Sequence, residues 1–594
     1  MAATKRRSAI SIVFPLVSAV VIWIAIGPLL MLLFSSVTAD RNRLPFESPE
    51  LSLENYFHIL TSGNTLQVLF NTAAFTIGAT TVGVGAAIFM AWLIERTDVW
   101  GRRTLFVLVL IPMAIPSTLY AMSWTLLLTP NSGFINVLLK NIGLGFIEFN
   151  VYSLGSMIAI QGLSLACHAY LLIAVAFRTL DASWEEQSFV AGHRVFETVR
   201  RITLPILKPA LFAALLFFTV VSLETFDIPI TLGLTSRIQV FSTQIYWDTH
   251  PESGRLPSYG LASAQSVIFL IIALALIRWY QRQTQSAKSF VTITGRGYRQ
   301  GRMKLGRWRW PLFVLGVAFI IVAVALPVLM LIWRSLLRFY LYPSARAFSL
   351  LNVNAYLSIF SDPDMPRVLF NTSVLTVVSA GLASIIAAAV AWQVVRSTIS
   401  PQWRKRLHTL AFLPQSFPSV VIGLALVLIY IWLPLPIYGT IWIIVLAMLT
   451  KFVAYSTGTM IAAQMQVSTE LEEASRVSGA GSTRTYWRIV LPLIFPALVA
   501  CFLWVAIHVV RELGLALILY TLQSQVLSTK LWLLWENGRV ADACATGVLT
   551  IVVLLALLAL PALFRNVRGL LNRLRSRPSL QNGAATEAST YDYR

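Results

Sequence analysis

The chain has 594 residues, 57% hydrophobic and 12% charged, with 46 Lys and Arg against 25 Asp and Glu and a formal net charge of +21. Soluble domains are roughly 45–50% apolar and about 25% charged, so this composition excludes a soluble cytosolic enzyme. It also argues against a nucleic-acid binder, whose basic residues sit on the solvated face of a soluble fold, because here they fall between apolar runs long enough for a bilayer.

Lys5, Arg6 and Arg7 precede the first apolar run, near 10–36. That run is longer than a secretory h-region and ends without a small-residue cleavage site, so it reads as a retained span. Runs suited to a helix of about 20 residues follow near 66–94, 104–128, 153–177, 207–232 and 259–280. After a basic stretch they resume near 311–335, 369–395, 407–433, 438–464, 494–521 and 543–564. The expectation is an all-α, polytopic membrane protein of about twelve transmembrane helices. Nine Lys/Arg and no acid lie from Arg278 to Arg309, and five with no acid from Arg565 to Arg577. The positive-inside rule places start, middle and tail in the cytoplasm, with both termini on that side of the cell membrane. The segment after the first run, with Asp40, Glu47, Glu50 and Glu54 against only Arg41 and Arg43, suits the outside.

The sequence repeats itself. Val68-Leu69-Phe70-Asn71-Thr72 recurs as Val368-Leu369-Phe370-Asn371-Thr372, and Tyr56 and Ala91-Trp92 as Tyr356 and Ala391-Trp392, all displaced by 300. Pro112, Pro116 and Ser117 recur as Pro414, Pro418 and Ser419, displaced by 302. Each half is therefore six spans in the same orientation, a parallel repeat as in two-halved transporters. The expected division is a first half over 1–280 with its core at about 66–280, a basic cytoplasmic linker over 281–310, a second half over 311–565 with its core at about 368–565, and a cytoplasmic tail over 566–594. The displacement later falls to 287, which assigns about 15 extra residues to the first half. Pro130 to Asn150, between the third and fourth spans, is their natural place, either a bare insertion or a surface for an external partner.

Between the fourth and fifth spans each half carries a matching loop, at about 181–205 and 468–492. The first reads Glu186-Gln187-Ser188, Gly192, Ile202, Leu204-Pro205; the second reads Glu473-Ala474-Ser475, Gly479, Ile489, Leu491-Pro492. Glu residues near the start suit the positive end of a helix dipole. Gly192 and Gly479 are expected either to break that helix or to let another backbone come close, and Pro205 and Pro492 are expected at the first turn of the following span. The expected shape is a short helix, a bend and a second helical piece along the cytoplasmic face, presented twice. One such loop would be ordinary punctuation; two at identical spacing in a repeat are not.

The pattern resembles the E-A-A, three residues, G, nine residues, I-x-L-P signature of ABC importer permeases. The resemblance implies a coupling helix that docks on an ATP-hydrolysing subunit, carried here by Glu186, Gly192, Leu204 and Pro205 and by Glu473, Ala474, Gly479, Leu491 and Pro492. Gln187-Ser188 and Ser475 depart from the usual alanines. Glu95-Arg96-Thr97-Asp98 with Gly101-Arg102-Arg103, and Arg511-Glu512-Leu513 with Leu517 to Tyr520, resemble the fused permeases of the ferric-iron importer group. Relatives there carry thiamine, aminophosphonates or other small solutes. The resemblance therefore implies a permease with two ATP-binding cassette subunits inside, an extracytoplasmic solute-binding protein outside, and ferric iron ahead of a small organic solute as cargo.

No Gly-Lys dipeptide occurs, so the phosphate-cradling P-loop is missing and ATP with Mg is expected to be used by partner chains, with no cofactor bound here. Six scattered histidines and three cysteines, Cys167, Cys501 and Cys544, lack ligand spacing, so no metal site is expected. The competing reading is a gradient-driven secondary transporter, because Asp98-Val99-Trp100-Gly101-Arg102-Arg103 resembles part of the major facilitator loop. Ile94 stands where that motif needs Gly, and 396–406 lacks the pattern. Charges inside spans are costly and functional by default. Glu224 and Asp227 fall in the expected fifth span of the first half, and Arg511 and Glu512 at nearly the same place in the second. Either they pair to fix packing, or they line a gate.

Overall fold

The computed structural model describes residues 9–39, 44–47, 50–251, 256–287, 301–396, 400–433 and 435–575. Lys5, Arg6, Arg7, Asp40, Arg41, Arg43, the linker from 288 to 300 and the tail from 576 lie outside the described residues. Among those described, ten helices are long and apolar enough to cross a membrane, and twelve if each of two bent pairs is one span. The first half has Phe14–Ser36, Gly63–Arg96, the pair Arg102–Ala114 and Ser117–Leu128, then Leu154–Thr179, Val195–Glu224 and Tyr259–Gln283. The second has Gly306–Ser335, Met365–Val395, the pair Pro401–Ser416 and Ser419–Trp432, then Ile441–Met465, Ser482–Arg511 and Val540–Ala559. The order matches the expected two-by-six plan.

Three expectations need correction. The third span of each half is not one straight helix: it bends by 101° in the first half and 105° in the second. Prolines cause this. Pro116 and Pro418 push the residue before them out of the helical region, so Ile115 and Phe417 are extended, with φ −90° and −95°. Pro112 and Pro414 open short 3-10 turns and contribute no N–H. Next, the fifth spans do not run over 207–232 and 494–521. They start earlier and stop at Glu224 and Arg511, and separate short helices Asp227–Ser236 and Gly514–Leu519 follow. Asp227 therefore begins a new helix instead of lying within the fifth span. Last, the second piece of each loop is no separate surface helix. It runs on into the fifth span through π turns at Val199–Thr203 and Tyr486–Val490. Pro205 and Pro492 lie just past these turns, whose wider winding makes room for a ring that an α-helix interior would exclude.

The repeated Asn-Thr pair has a structural role. Asn71 donates to the Gln239 carbonyl at 3.1 Å and Asn371 to that of Gln525 at 3.0 Å. Thr72 accepts from the Phe241 N–H and Thr372 from the Leu527 N–H, both at 2.9 Å. Each pair thus ties the second span to the short helix, Phe241–Thr249 or Leu527–Glu536, that precedes the sixth. Small residues bring the second and fourth spans together: a Cβ on Gly83 would lie 2.9 Å from the Gly162 carbonyl, and one on Gly162 would lie 2.6 Å from Val82. In the second half Ala380, Ala383, Ala387 and Ala391 are buried along the equivalent span.

The first span of each half crosses to the other half. Ser18 donates to Gln393 at 3.0 Å, Tyr120 to the Ala323 carbonyl at 3.0 Å, and Tyr340 to the Leu126 carbonyl at 2.8 Å. Leu312, Ile320, Ala323 and Val324 sit in a core otherwise built by the first half. Neither half closes its own core. The stretch at 130–150 is also built, with Asn136 donating to the Leu128, Thr129 and Phe149 carbonyls at 3.3, 3.1 and 2.8 Å.

Candidate functional site

Each loop opens on a buried ion pair. Arg96 ends the second span, is 1% exposed, and donates through Nε to the Glu185 carboxylate at 3.3 and 3.1 Å and through Nη1 to the Leu180 carbonyl at 2.9 Å. Thr203 adds a bond to Glu185 at 2.9 Å. In the second half Arg396 holds the Gln464 carbonyl at 2.8 Å and that of Val467, and faces Glu472 at 3.2 Å. A buried pair adds little net stability over an apolar one, but leaving one partner alone costs about 3–5 kcal/mol, so each pair fixes where its loop begins.

From that point the loops share their helix ending and the bond that fastens them to the fifth span. Helices Ser183–Val190 and Thr469–Val477 end at Gly192 and Gly479, with φ of +86° and +80°. His193 N–H then reaches the Ser188 carbonyl at 3.1 Å, and Ala480 N–H the Ser475 carbonyl at 3.0 Å, the closing bond of a Schellman turn. Ser188 pairs with Thr198 and Ser475 with Thr485, each at 2.9 Å, fastening the loop helix to the start of the fifth span. The serines that depart from the signature thus do the same work in both halves. Outward, Trp184 and Leu471 are half exposed, Val190 and Val477 are each 90% exposed, and Glu186, Gln187, Glu473 and Ala474 face solvent. The arrangement is an apolar knob edged with acid, presented twice.

The two loops differ in what lies over them. Met303 donates to the Arg96 carbonyl at 2.8 Å and Asp98 accepts from the Leu305 N–H at 3.0 Å. This lays residues 301–305 beside the first loop, above a 310 Å³ cavity lined by Glu185, Glu186, Phe189 and Lys304. Gly301 is required there, since a Cβ would lie 2.5 Å from that of Ala182.

The charges flagged within the spans do converge, where the two halves meet. Arg511 donates to the Ile115 carbonyl at 3.1 Å and to that of Met113, both freed by the proline break in the opposite half. Asp227 accepts from Ser117, and Glu512 from Lys451 at 2.6 Å, while Lys451 also reaches Ser419. Glu224 forms no hydrogen bond or ion pair among the described residues and lies within electrostatic reach of Lys451 and Glu512. Three carboxylates thus face two cations. The cavity beside Arg511, lined also by Pro116 and Thr118, measures 10 Å³, room for about one water.

Residues 83–288 and 380–574 match the family described as the binding-protein-dependent transport system inner membrane component. The chain belongs to this family. It is a fused, two-half permease of the ABC importer class, a transport protein and not a catalytic enzyme. Among its relatives, the ferric transport system permease protein FbpB of Actinobacillus pleuropneumoniae is 26% identical over 531 residues, 86% of this chain and 73% of that protein. An Fe(3+)-transport system permease protein of Haemophilus influenzae is 24% identical over 517 residues, 86% of this chain and 93% of its own. The trehalose/maltose transport system permease protein MalF of Thermococcus litoralis is 26% identical over 272 residues, covering 44% of this permease and 88% of MalF. A crystallised bacterial ABC transporter that imports alginate aligns with 44% of the permease and 97% of its own chain, at 20% identity and a TM-score of 0.37, a likeness too slight to carry further argument.

Two groups of residues in the permease are not singled out by sequence spacing. Glu185 and Glu472 are masked by their neighbours in the signature, although their partners Arg96 and Arg396 stand 300 apart, the displacement of the repeat. Lys451 lies inside the span 441–465, where the cost of a charge is the signal that marks it.

Proposed function

We propose that this permease forms the whole path of an ATP-driven importer for ferric iron, with two ATPase subunits on the cytoplasmic, loop-bearing face and a solute-binding protein on the other. The observation that carries this reading is the pair of loops, closed by the same Schellman turn and the same Ser–Thr bond and rooted in buried ion pairs on opposite halves. A single rigid input to each half is what two ATPases closing on one another would need in order to rock the halves. Closure pushes each loop helix, the Ser–Thr bond and the unbroken helix of 30 residues behind it carry the push to Glu224 or Arg511, and the proline-broken spans between them give way. The similarity to ferric permeases over most of the chain supports iron as cargo, and the excess carboxylate of the central cluster suits a hard cation. In this reading Glu224, Asp227, Arg511 and Glu512, joined by Lys451, are the gate.

The test is ATP hydrolysis by the permease reconstituted with its ATPases. Ferric-loaded binding protein should stimulate it, and the same protein stripped of iron should not. Stimulation by a sugar-loaded or aminophosphonate-loaded binding protein instead would replace iron with that solute.

A further inference from the structure

In the turn Asp98-Val99-Trp100-Gly101-Arg102-Arg103, Asp98 holds residues 301–305 beside the first loop, while Arg102 and Arg103 have no part in the coupling geometry. Gly101, at φ +59°, closes it, and Arg102 and Arg103 open the helix Arg102–Leu110. There they line a 530 Å³ cavity together with Arg178, Arg302 and, one turn on along the same helix, Phe106 and Val107, with the Arg178 guanidinium over the Phe106 ring at 5.4 Å. Its one carboxylate outside the loop pair, Glu95, is taken up by Arg178 at 2.7 and 2.9 Å and by Tyr170 at 2.8 Å. Arg96 is spent on Glu185. Arg102, Arg103 and Arg302 form no ion pair among the described residues. Like charges gathered in a half-open cavity repel one another unless an anion joins them.

The cavity sits where three spans end or begin, at the edge of the apolar band, and Val107, one turn beyond Arg103, lies 58% exposed beside the arginines. Basic groups beside apolar side chains at that depth suit an amphiphile better than a free ion. We propose that this cavity holds the phosphate headgroup of an anionic phospholipid, and that the bound headgroup fastens Arg302, and with it residues 301–305, against the first coupling loop. The second half repeats Arg102 and Arg103 as Arg404 and Lys405, but Val395 and Met465 stand where the repeat would place Glu95 and Arg178, and among the described residues no segment equivalent to 301–305 is bonded beside its loop. The lipid acts on one loop only.

The full-length permease, purified from membranes containing zwitterionic and anionic phospholipid, should retain phosphatidylglycerol or cardiolipin in native mass spectrometry. Arg103→Ala with Arg302→Ala should cut that retention roughly tenfold. Arg103→Lys with Arg302→Lys should keep most of it, which separates lost charge from lost fold, and Lys405→Ala with Arg406→Ala in the second half should leave it unchanged. Equal retention in the alanine pair and the parent overturns the site. Displacement of the lipid by millimolar inorganic phosphate overturns the lipid assignment in favour of a soluble phosphate ligand. Amide exchange at 301–305 should quicken in purely zwitterionic nanodiscs, and exchange indifferent to lipid charge would contradict the fastening.

Discussion

Gly192 and Gly479 show how one residue type can be tested without disturbing anything else. A Cβ at either would meet nothing within 4 Å, so alanine there is opposed by backbone alone. Left-handed backbone costs an L-residue roughly 1–2 kcal/mol, enough to unwind the end of a short exposed helix. Gly192→Ala and Gly479→Ala should therefore weaken co-purification of the ATPase subunits while leaving expression near that of the parent. Gly538, at φ +76° with equally open surroundings but outside both loops, supplies the control: Gly538→Ala carries the same strain and should keep the ATPases. The buried pairs are a harsher test. Glu185→Ala or Glu472→Ala strands an arginine in the protein interior at about 3–5 kcal/mol, so both variants should lose thermal stability, whereas Glu186→Ala and Glu473→Ala, at exposed positions, should lose only coupling.

At the scale of helices, the sequence made the spans legible because apolar length is a strong signal, and it made the repeat legible because Asn71-Thr72 and Pro112 with Pro116 return at fixed intervals. What it hid were changes of direction inside apolar runs. The run 104–128 looks continuous because Pro112 and Pro116 sit among apolar residues, and only their effect on the backbone, a 3-10 turn from Ile111 and an extended Ile115, breaks the helix. Conversely, Pro205 reads as a helix start, but a π turn absorbs it. The loop site was half legible: spacing gave Glu186 and Gly192, while the buried Glu185 needed its partner to be seen. An element contact on the opposite face lends itself to a pH test. Burial would raise the Asp362 carboxyl, but the Lys530 ammonium at 2.8 Å and the Asp364 N–H at 2.9 Å outweigh it and hold it below its ordinary value. A depressed carboxyl stabilises above its unfolded pKa and loses that contribution as pH falls through the folded one. The protection of amides in Leu527–Glu536, taken relative to their intrinsic exchange rate at each pH, should thus fall on acidification below about pH 4, and Asp362→Asn should remove that loss of protection.

On the scale of the molecule, the halves are equivalent in fold and unequal in charge. Position for position, Glu224 answers to Arg511, and among the described residues 301–305 lie beside the first loop with no equivalent segment bonded beside the second. Each first span packs into the opposite half, so the two halves are interlocked. The gate assignment predicts that Glu224→Gln and Lys451→Met abolish iron uptake while ATPase stimulation survives, and uptake and stimulation both unchanged would return these residues to simple packing. The coupling of the two loops to transport is tested most directly by ATP-dependent uptake of ferric iron into proteoliposomes holding the permease, its ATPases and loaded binding protein. Uptake should fall to roughly a tenth or less when Gly192→Val and Gly479→Val are combined, and should persist in Gly538→Val. Undiminished uptake in the double variant, or uptake that proceeds without ATP, would contradict the account.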